Sequence, residues 1–129
     1  MIDDAVKALA QEPNFAVLTT ILPDGMPQTQ VMWVDADDEH VLINTEPHRR
    51  KFKNIEADPR VAVTILDRDN PYRYAEVRGR VVETVLGPEA RDHIDKLSMK
   101  YGGNPYPQEA IQTERVIVRI LPDRQLVRG

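Results

Sequence analysis

Apolar residues recur along the chain with two different spacings. The first segment has helical spacing and is predicted to end before Pro13, because the residue before a proline disfavours the helical conformation. Its apolar positions are Ile2, Ala5, Val6 and Leu9. Residues 15–21 and 28–34 are instead rich in strand formers, and a strong turn signal lies between them at residues 23–25. The pattern therefore predicts a short amphipathic helix followed by a β-hairpin.

Further strands are predicted in the rest of the chain. They are residues 40–44, 61–66, 72–85 and 116–121, and residues 125–128 can add a short last one. The β-branched run at residues 61–66 is typical of a buried strand. Gly79 interrupts the longest of these segments, which indicates a bulge or a close approach of two backbones.

Two more helices complete the predicted elements. One covers about residues 45–57, with Thr45 as its N-cap and Asp58-Pro59 as its end. The other begins at Gly87-Pro88. The apolar face of this second helix consists of Ala90, Ile94 and Leu97, and residues 101–107 after it are predicted to be irregular. Residues 35–39 are predicted to form an acidic turn.

Together these elements predict a mainly β protein. A parallel sheet needs a crossover helix between most strand pairs, and the predicted helices are too few for that. Six or seven antiparallel strands fit a small β-barrel instead. No linker, internal repeat or low-complexity segment divides the chain, so we predict a single domain over residues 1–129.

Composition narrows the functional classes. The chain has no cysteine, which excludes disulfides, thiolate nucleophiles and cysteine metal sites. Its formal net charge of -4 argues against nucleic-acid binding, which needs a broad basic surface. No apolar run approaches the roughly 20 residues of a membrane-spanning helix, and the first residues carry acid where a secretory signal carries base. We therefore expect a cytoplasmic protein. The three histidines, His40, His48 and His93, lack ligand spacing, so no metal site is predicted.

A basic run opens the second predicted helix of this acidic chain. Residues 45–55 contain four cations, Arg49, Arg50, Lys51 and Lys53, against one anion, Glu46. Cations are unfavourable at a helix N-terminus, where the helix dipole is already positive. An anion bound over the first turn would reverse that effect, and phosphate is the natural candidate. The alternative is a solvated helix face whose charges pair with distant acids.

Four segments in a fixed order resemble one known family. They are PDGMPQ, VLINT, RRKFKNIEADPRVAV and YAEVRGRV, and they extend over most of the chain. The most specific spacing among them is carried by Arg49, Lys51, Asn54, Ile55, Asp58, Pro59 and Arg60. In order and spacing these segments resemble the pyridoxamine 5'-phosphate oxidase-like, FMN-binding split β-barrel family, and within it the branch that uses the deazaflavin coenzyme F420.

The resemblance implies a homodimer with a cofactor in each of two clefts between the subunits. Arg49, Arg50 and Lys51 would bind the cofactor phosphate. The remaining implied contacts are Gln30, Val31, Met32 and Trp33 beside the ring system, Asn44 and Thr45 on its other side, and Tyr72 and Tyr74 from the partner subunit. Each of these side chains has an ordinary structural alternative as a core or interface residue.

The resemblance also implies an activity. It is F420H2-dependent transfer of hydride to a small electron-poor organic acceptor. No acid–base dyad or activated nucleophile is visible in the sequence, so the cofactor would carry the chemistry and the catalytic residues remain unidentified. Two alternatives stay open: an FMN-dependent oxidoreductase of the same fold, and a non-catalytic carrier of F420, flavin or haem.

Overall fold

The computed structural model describes all residues from 1 to 129 and contains seven strands and three α-helices. The strands are β1 (Phe15–Ile21), β2 (Pro27–Met32), β3 (Asp35–Ala36), β4 (Val41–Thr45), β5 (Arg60–Leu66), β6 (Tyr74–Val85) and β7 (Val116–Arg128). The helices are α1 (Asp4–Gln11), α2 (Arg50–Ala57) and α3 (Pro88–Gly102), with one 3-10 turn at Gln108–Ala110. The predicted mainly β architecture is confirmed. No helix combines the length and the apolar character that crossing a membrane requires.

All seven strands form one antiparallel sheet in the order β2-β1-β5-β6-β7-β4-β3. Leu18 of β1 and Ile43 of β4 are separated by three strands in this order, yet both line one small internal cavity. The sheet must therefore curl until its two ends face each other, which is the geometry of a small barrel.

Alternation along the strands places the core inside this curl. In β1 the buried positions are Ala16, Leu18 and Thr20, and in β5 they are Val61, Val63 and Ile65. Helix α1 buries Val6, Leu9 and Ala10, which belong to the same apolar cluster as the strand residues. The period of two and the helical period seen in the sequence thus converge on a single core.

The two longest strands, β6 and β7, pair along most of their length, and their backbones approach closely at Gly79. Their register shifts between Arg78 and Gly79. A Cβ atom at position 79 would lie 2.1 Å from the carbonyl oxygen of Leu121, so only glycine fits without a shift of backbone. The predicted close approach of two backbones is confirmed.

Helix α2 starts later than predicted. Thr45 is the last residue of β4, paired with Val116, and is buried, so the prediction that Thr45 caps the helix is wrong. The sequence TEPHR forms the end of the strand and a turn, and the helix begins at Arg50, with Arg49 in the cap position and no side-chain cap. Its predicted end is confirmed, since the Asp58 amide makes the last bond, to the Asn54 carbonyl.

Three other boundaries differ from the prediction. Asp35 and Ala36 are not part of a turn but form the short strand β3, which pairs with β4. Strand β7 runs without interruption through the two segments that the sequence separates. Helix α3 extends to Gly102 and ends where Gly103 adopts a left-handed conformation, with φ of 77°.

Candidate functional site

The cation cluster, defined as Arg49, Arg50, Lys51 and Lys53, surrounds the first turns of α2. None of its side chains forms an ion pair with an aspartate or glutamate. Arg50 only donates from Nε to Asn54 Oδ1, at 3.0 Å. The alternative prediction was a solvated helix face whose charges pair with distant acids. No aspartate or glutamate pairs with these four cations, so the structure does not support that alternative.

Lys51 shows the electrostatic consequence. Its half-buried ammonium group has a lowered pKa, first because burial penalises the charged form and then because Arg49 and Arg115 repel it. The first amides of the helix also lack intrahelical partners. A bound anion would offset the repulsion and accept from those amides, so this end of α2 is chemically suited to a phosphate group.

A cleft of about 370 Å³ opens next to the cluster. It is lined by Met32, Trp33, Asn44, Ile94, Leu97, Tyr106 and Arg115. Met32 ends β2 at one edge of the sheet, and Asn44 belongs to β4 near the other edge. Helix α3 supplies Ile94 and Leu97. The cleft thus forms where the two ends of the curled sheet meet, and its volume lies in the range of small-molecule sites.

Aromatic packing holds Trp33 at this cleft. Its ring stacks on Tyr101 with centroids 5.0 Å apart and planes within 4°. Tyr106 meets it edge-on at 6.3 Å. The Tyr101 hydroxyl accepts from the amide of Val34 at 3.1 Å and donates to the carbonyl of Asn14, so α3 fixes the stacking partner.

Arg115 joins the cleft to the cation cluster. Its buried guanidinium donates from Nε to Asn44 Oδ1 (2.8 Å), from one terminal nitrogen to the Asn44 carbonyl (3.2 Å) and from the other to Glu46 Oε2 (3.2 Å). Glu46 is fully buried, which would raise its pKa. The Thr113 amide, the charge of Arg115 and the Gln112 amide lower that pKa instead, so the carboxylate stays charged.

The contacts of Asn44 extend this arrangement inward. A guanidinium only donates, so the Asn44 oxygen must face Arg115 and its nitrogen must point the other way. That nitrogen donates to the Ala90 carbonyl and to His93 Nδ1, both at 3.0 Å. His93 must then carry its proton on Nε2, which donates to Asp35 Oδ2 at 3.0 Å. We call Asp35, Asn44, Glu46, His93 and Arg115 the polar network.

Asp35 terminates the polar network as a charged carboxylate. Burial would raise its pKa, but hydrogen bonds from His93 and from the Ala36 amide, together with the positive charge of Lys96, lower it to about 2. The Lys96 ammonium lies 3.2 Å from Asp35 Oδ2 and remains mostly exposed. The network is therefore anchored at both ends by a carboxylate paired with a cation.

The structure brings together only part of the predicted site. Met32, Trp33 and Asn44 share the cleft, and Lys51 and Thr45 line the small internal cavity. Arg49 and Lys51 lie within electrostatic reach of Arg115. These residues form one continuous region.

The other predicted contacts lie elsewhere in the chain. Gln30 and Val31 are exposed on the edge strand β2. Tyr74 pairs with Leu66, which pairs with Phe15 at the start of β1, and Tyr72 is 82% exposed just before it. Helix α2 packs at the opposite end of β1, where Asn54 donates to Thr20. Within one copy, Tyr72 and Tyr74 therefore do not reach the cation cluster.

Sequence reasoning missed Arg115, Glu46, Asp35 and the role of His93. Arg115 precedes an apolar strand and carries no periodic signal, and Glu46 lies 69 residues away from it in the chain. The one signal in the sequence was that Glu46 is the single acid among the four cations of residues 45–55. That signal does not identify the partner.

Comparison with known proteins agrees with the fold. The family model described as pyridoxamine 5'-phosphate oxidase matches residues 2–127. The solved structure of an F420 reductase is 35% identical, with a TM-score of 0.82, and the match covers 97% of this chain and 98% of that one. A conserved hypothetical protein from Mycobacterium tuberculosis is 27% identical, with a TM-score of 0.75, over 100% of this chain and 86% of its own.

A shorter match is to a pyridoxine/pyridoxamine 5'-phosphate oxidase from Rubrobacter xylanophilus. The two sequences are 39% identical over 62 residues, which are 47% of this chain and 29% of that oxidase. The matched segment is less than a third of the curated enzyme, so its activity does not transfer with it. The resemblance inferred from the sequence segments is confirmed at the level of the family.

Proposed function

The chain belongs to the pyridoxamine 5'-phosphate oxidase family, and we propose that it is an oxidoreductase that uses reduced coenzyme F420 to reduce a small electron-poor organic acceptor. The similarity to an F420 reductase along nearly the whole chain supports the choice of cofactor. The observation that carries the proposal is the cation cluster, whose charges have no acidic partner although the protein as a whole is acidic.

The residues present fit a phosphate-bearing cofactor. Arg49, Arg50 and Lys51 would bind the phosphate together with the first amides of α2. Glu46, the one acid in this segment, already pairs with Arg115 and does not neutralise the cluster. Thr45 and Asn44 border the same region.

A second copy of the chain completes this proposed site. Tyr72 and Tyr74 lie at the far end of the barrel from α2, so they can contact the same cofactor only from a partner subunit. Gln30 and Val31 are exposed on the edge strand, where they are available to a ligand or a partner. The proposal is therefore a homodimer with two equivalent sites.

When bound, reduced F420 supplies a hydride from ring carbon C5. The chain itself binds the phosphate, orients the ring system and provides an apolar cleft for the acceptor. Met32, Trp33, Ile94 and Leu97 form the walls that exclude water from this cleft.

Parallel fluorescence titrations with F420 and FMN test the proposal. The double variant Arg49→Ala/Lys51→Ala should bind F420 more weakly than the parent by about 2–4 kcal/mol, the scale of lost charge-assisted hydrogen bonds. The matched control is Arg78→Ala/Arg80→Ala, which removes two exposed arginines that are already paired with Glu76 and Asp123. The control should bind F420 like the parent. Unchanged affinity in the first variant would contradict the assignment.

The second candidate is an FMN-dependent oxidoreductase of the same fold. The match to the pyridoxamine 5'-phosphate oxidase family favours it, and FMN also presents a phosphate to the cation cluster. Tighter binding of FMN than of F420 in the parallel titration would select this alternative. A non-catalytic carrier would bind either cofactor tightly, yet leave the reduced form unoxidised when enones or quinones are added without oxygen.

A further inference from the structure

We propose that the cleft between β2, β4 and α3 binds the acceptor, and that Arg115 makes it selective for flat, apolar molecules bearing a carboxylate. This inference rests on the proposed function, because it identifies the acceptor site of that same reaction. It concerns the cleft walls and Arg115, and it is independent of which phosphate-bearing cofactor the cation cluster takes.

The walls of the cleft determine the shape and polarity of its ligand. Five of the seven lining residues are apolar or aromatic, and the polar ones are Asn44 and Arg115. Trp33 and Tyr106 present aromatic surfaces at right angles, with an interplanar angle of 85°. Such walls favour a flat hydrocarbon body over a sugar or a peptide.

Arg115 is the charged donor left for the ligand. Both hydrogens of the Asn44 amide are used, by Ala90 and by His93, so Asn44 can only accept. Arg115 uses three of its five N–H groups within the protein, which leaves two. The ring of Tyr106 lies 5.2 Å from the guanidinium carbon and covers one of its faces. A hydrogen-bond acceptor on the ligand is thus the matching group.

The charge around the cleft favours an anionic acceptor over a neutral one. Glu46 balances Arg115, but Arg49 and Lys51 lie close enough to add uncompensated positive charge. Asp95, near Tyr106, is already paired with Arg91 at 2.8 Å. The unpaired charges of Arg49 and Lys51 therefore act on Arg115 in addition to its own, and a carboxylate bound at Arg115 would gain from both charge and geometry.

The rest of the polar network positions Arg115. His93 accepts from Asn44 and donates to Asp35, so the amide of Asn44 cannot rotate without breaking two buried bonds. Its oxygen therefore stays directed at Arg115 Nε. Neither Asp35 nor His93 lines the cleft, so they act on Arg115 only through Asn44.

Trp33, the sole tryptophan, lines the cleft and makes binding observable without cofactor. The probes are cinnamate and cinnamamide, which have the same body and differ in charge. In calorimetric and Trp33-fluorescence titrations of the cofactor-free protein, cinnamate should bind about tenfold more tightly, as expected for one charge-assisted hydrogen bond. Equal affinities would overturn the inference.

Two variants attribute the preference to Arg115. Arg115→Ala alone would leave Glu46 buried without a partner, so the double variant Glu46→Gln/Arg115→Gln removes both charges together. It should bind cinnamate and cinnamamide equally. Met32→Trp narrows the cleft without touching its charge and should weaken both probes alike; because it adds a second tryptophan, its binding is measured by calorimetry alone. A cinnamate preference that survives the double variant would contradict the role of Arg115.

Competition separates this inference from the proposed function. F420 should bind without displacing cinnamate, because the inference places the cofactor ring at the exposed residues Gln30 and Val31 of β2. Met32, Trp33 and Asn44, which the family resemblance assigns to the ring, would instead contact the acceptor. Direct displacement would show that the cleft holds the cofactor ring, and the inference would fail while the proposed function stands. If the protein binds cinnamate but neither F420 nor FMN, the proposed function fails while the assignment of the cleft as a carboxylate-binding site stands.

Discussion

The cation cluster and the polar network lie side by side, but their charged side chains differ in whether they have ion-pair partners. In the polar network, the charge of Glu46 is matched by Arg115 and that of Asp35 by Lys96, while neutral His93 donates a hydrogen bond to Asp35. No buried side-chain nitrogen or oxygen of the protein lacks a hydrogen-bond partner. In the cation cluster, four positive residues stand together without one ion pair.

Burial explains the difference. An unpaired charge in the interior costs several kcal/mol, so the residues of the polar network persist only as a matched set. An unmatched cation near solvent costs little, so it can be left available for a ligand. The comparison teaches that the polar network should govern stability and the cation cluster should govern binding of the proposed cofactor.

Breaking the polar network at Arg115 should have the largest effect. Arg115→Ala leaves the fully buried Glu46 without its cation and should lower the free energy of unfolding by about 3–5 kcal/mol. Urea denaturation measures this loss. Arg80→Ala is the control, because it removes a half-exposed pair with Asp123 and should cost no more than about 1 kcal/mol. Similar losses in both variants would contradict the comparison.

A smaller loss of stability is expected when His93 is substituted. His93→Leu removes the acceptor of Asn44 and a donor to Asp35, and should lower the free energy of unfolding by about 1–3 kcal/mol. His48→Leu changes an exposed histidine and should stay within about 0.5 kcal/mol of the parent. Equal stability of the two variants in denaturant would show that the hydrogen bonds joining Asn44, His93 and Asp35 do not stabilise the fold.

The charge of Asp35 should contribute about 2 kcal/mol to the free energy of unfolding, and this contribution should depend on pH. Its pKa is depressed to about 2 in the folded protein, below the ordinary value of 3.8. The stabilisation is therefore complete above about pH 4 and disappears as the pH falls through the folded value. Urea denaturation of the parent and of Asp35→Asn should show a stability difference that shrinks from pH 6 to pH 2.5. A constant difference would exclude this assignment.

The smallest effect should come from the cation cluster, and with the opposite sign. Lys51→Met removes a half-buried charge that Arg49 and Arg115 repel, so the cofactor-free protein should become more stable by a few tenths of a kcal/mol. The same variant should bind F420 less tightly. Lys53→Met, at an exposed position, should leave the thermal midpoint unchanged. A loss of stability at Lys51 would mean that its charge supports the fold.

Local patterns predicted the elements of this fold well, because most of them bury one regular face. The strand at Phe15–Ile21 shows strict alternation of burial, and the end of α2 follows from Asp58-Pro59. The start of α2 was misplaced because Thr45 is a good cap by residue type, whereas pairing of β4 with β7 uses it as a strand residue. Tertiary pairing overrode local propensity there.

The candidate site was predictable only where it consists of neighbours in sequence. The cation cluster is contiguous, so charge counting found it. The polar network joins Asp35 to His93 across 58 positions and Glu46 to Arg115 across 69, and no single-sequence pattern records such contacts. The cleft was half predicted, since Met32, Trp33 and Asn44 were identified but Ile94, Leu97 and Tyr106 were read only as helix or loop residues.

The close approach of the β6 and β7 backbones at Gly79 limits how this protein can vary. Every substitution at position 79 inserts an atom 2.1 Å from a backbone oxygen of the opposing strand, so a saturation library there should yield glycine and little else that folds. The spacing of β6 and β7 at this point is consequently not adjustable by substitution of Gly79. Redesign of this part of the sheet would have to proceed through loop length or strand length, while this one residue stays untouched.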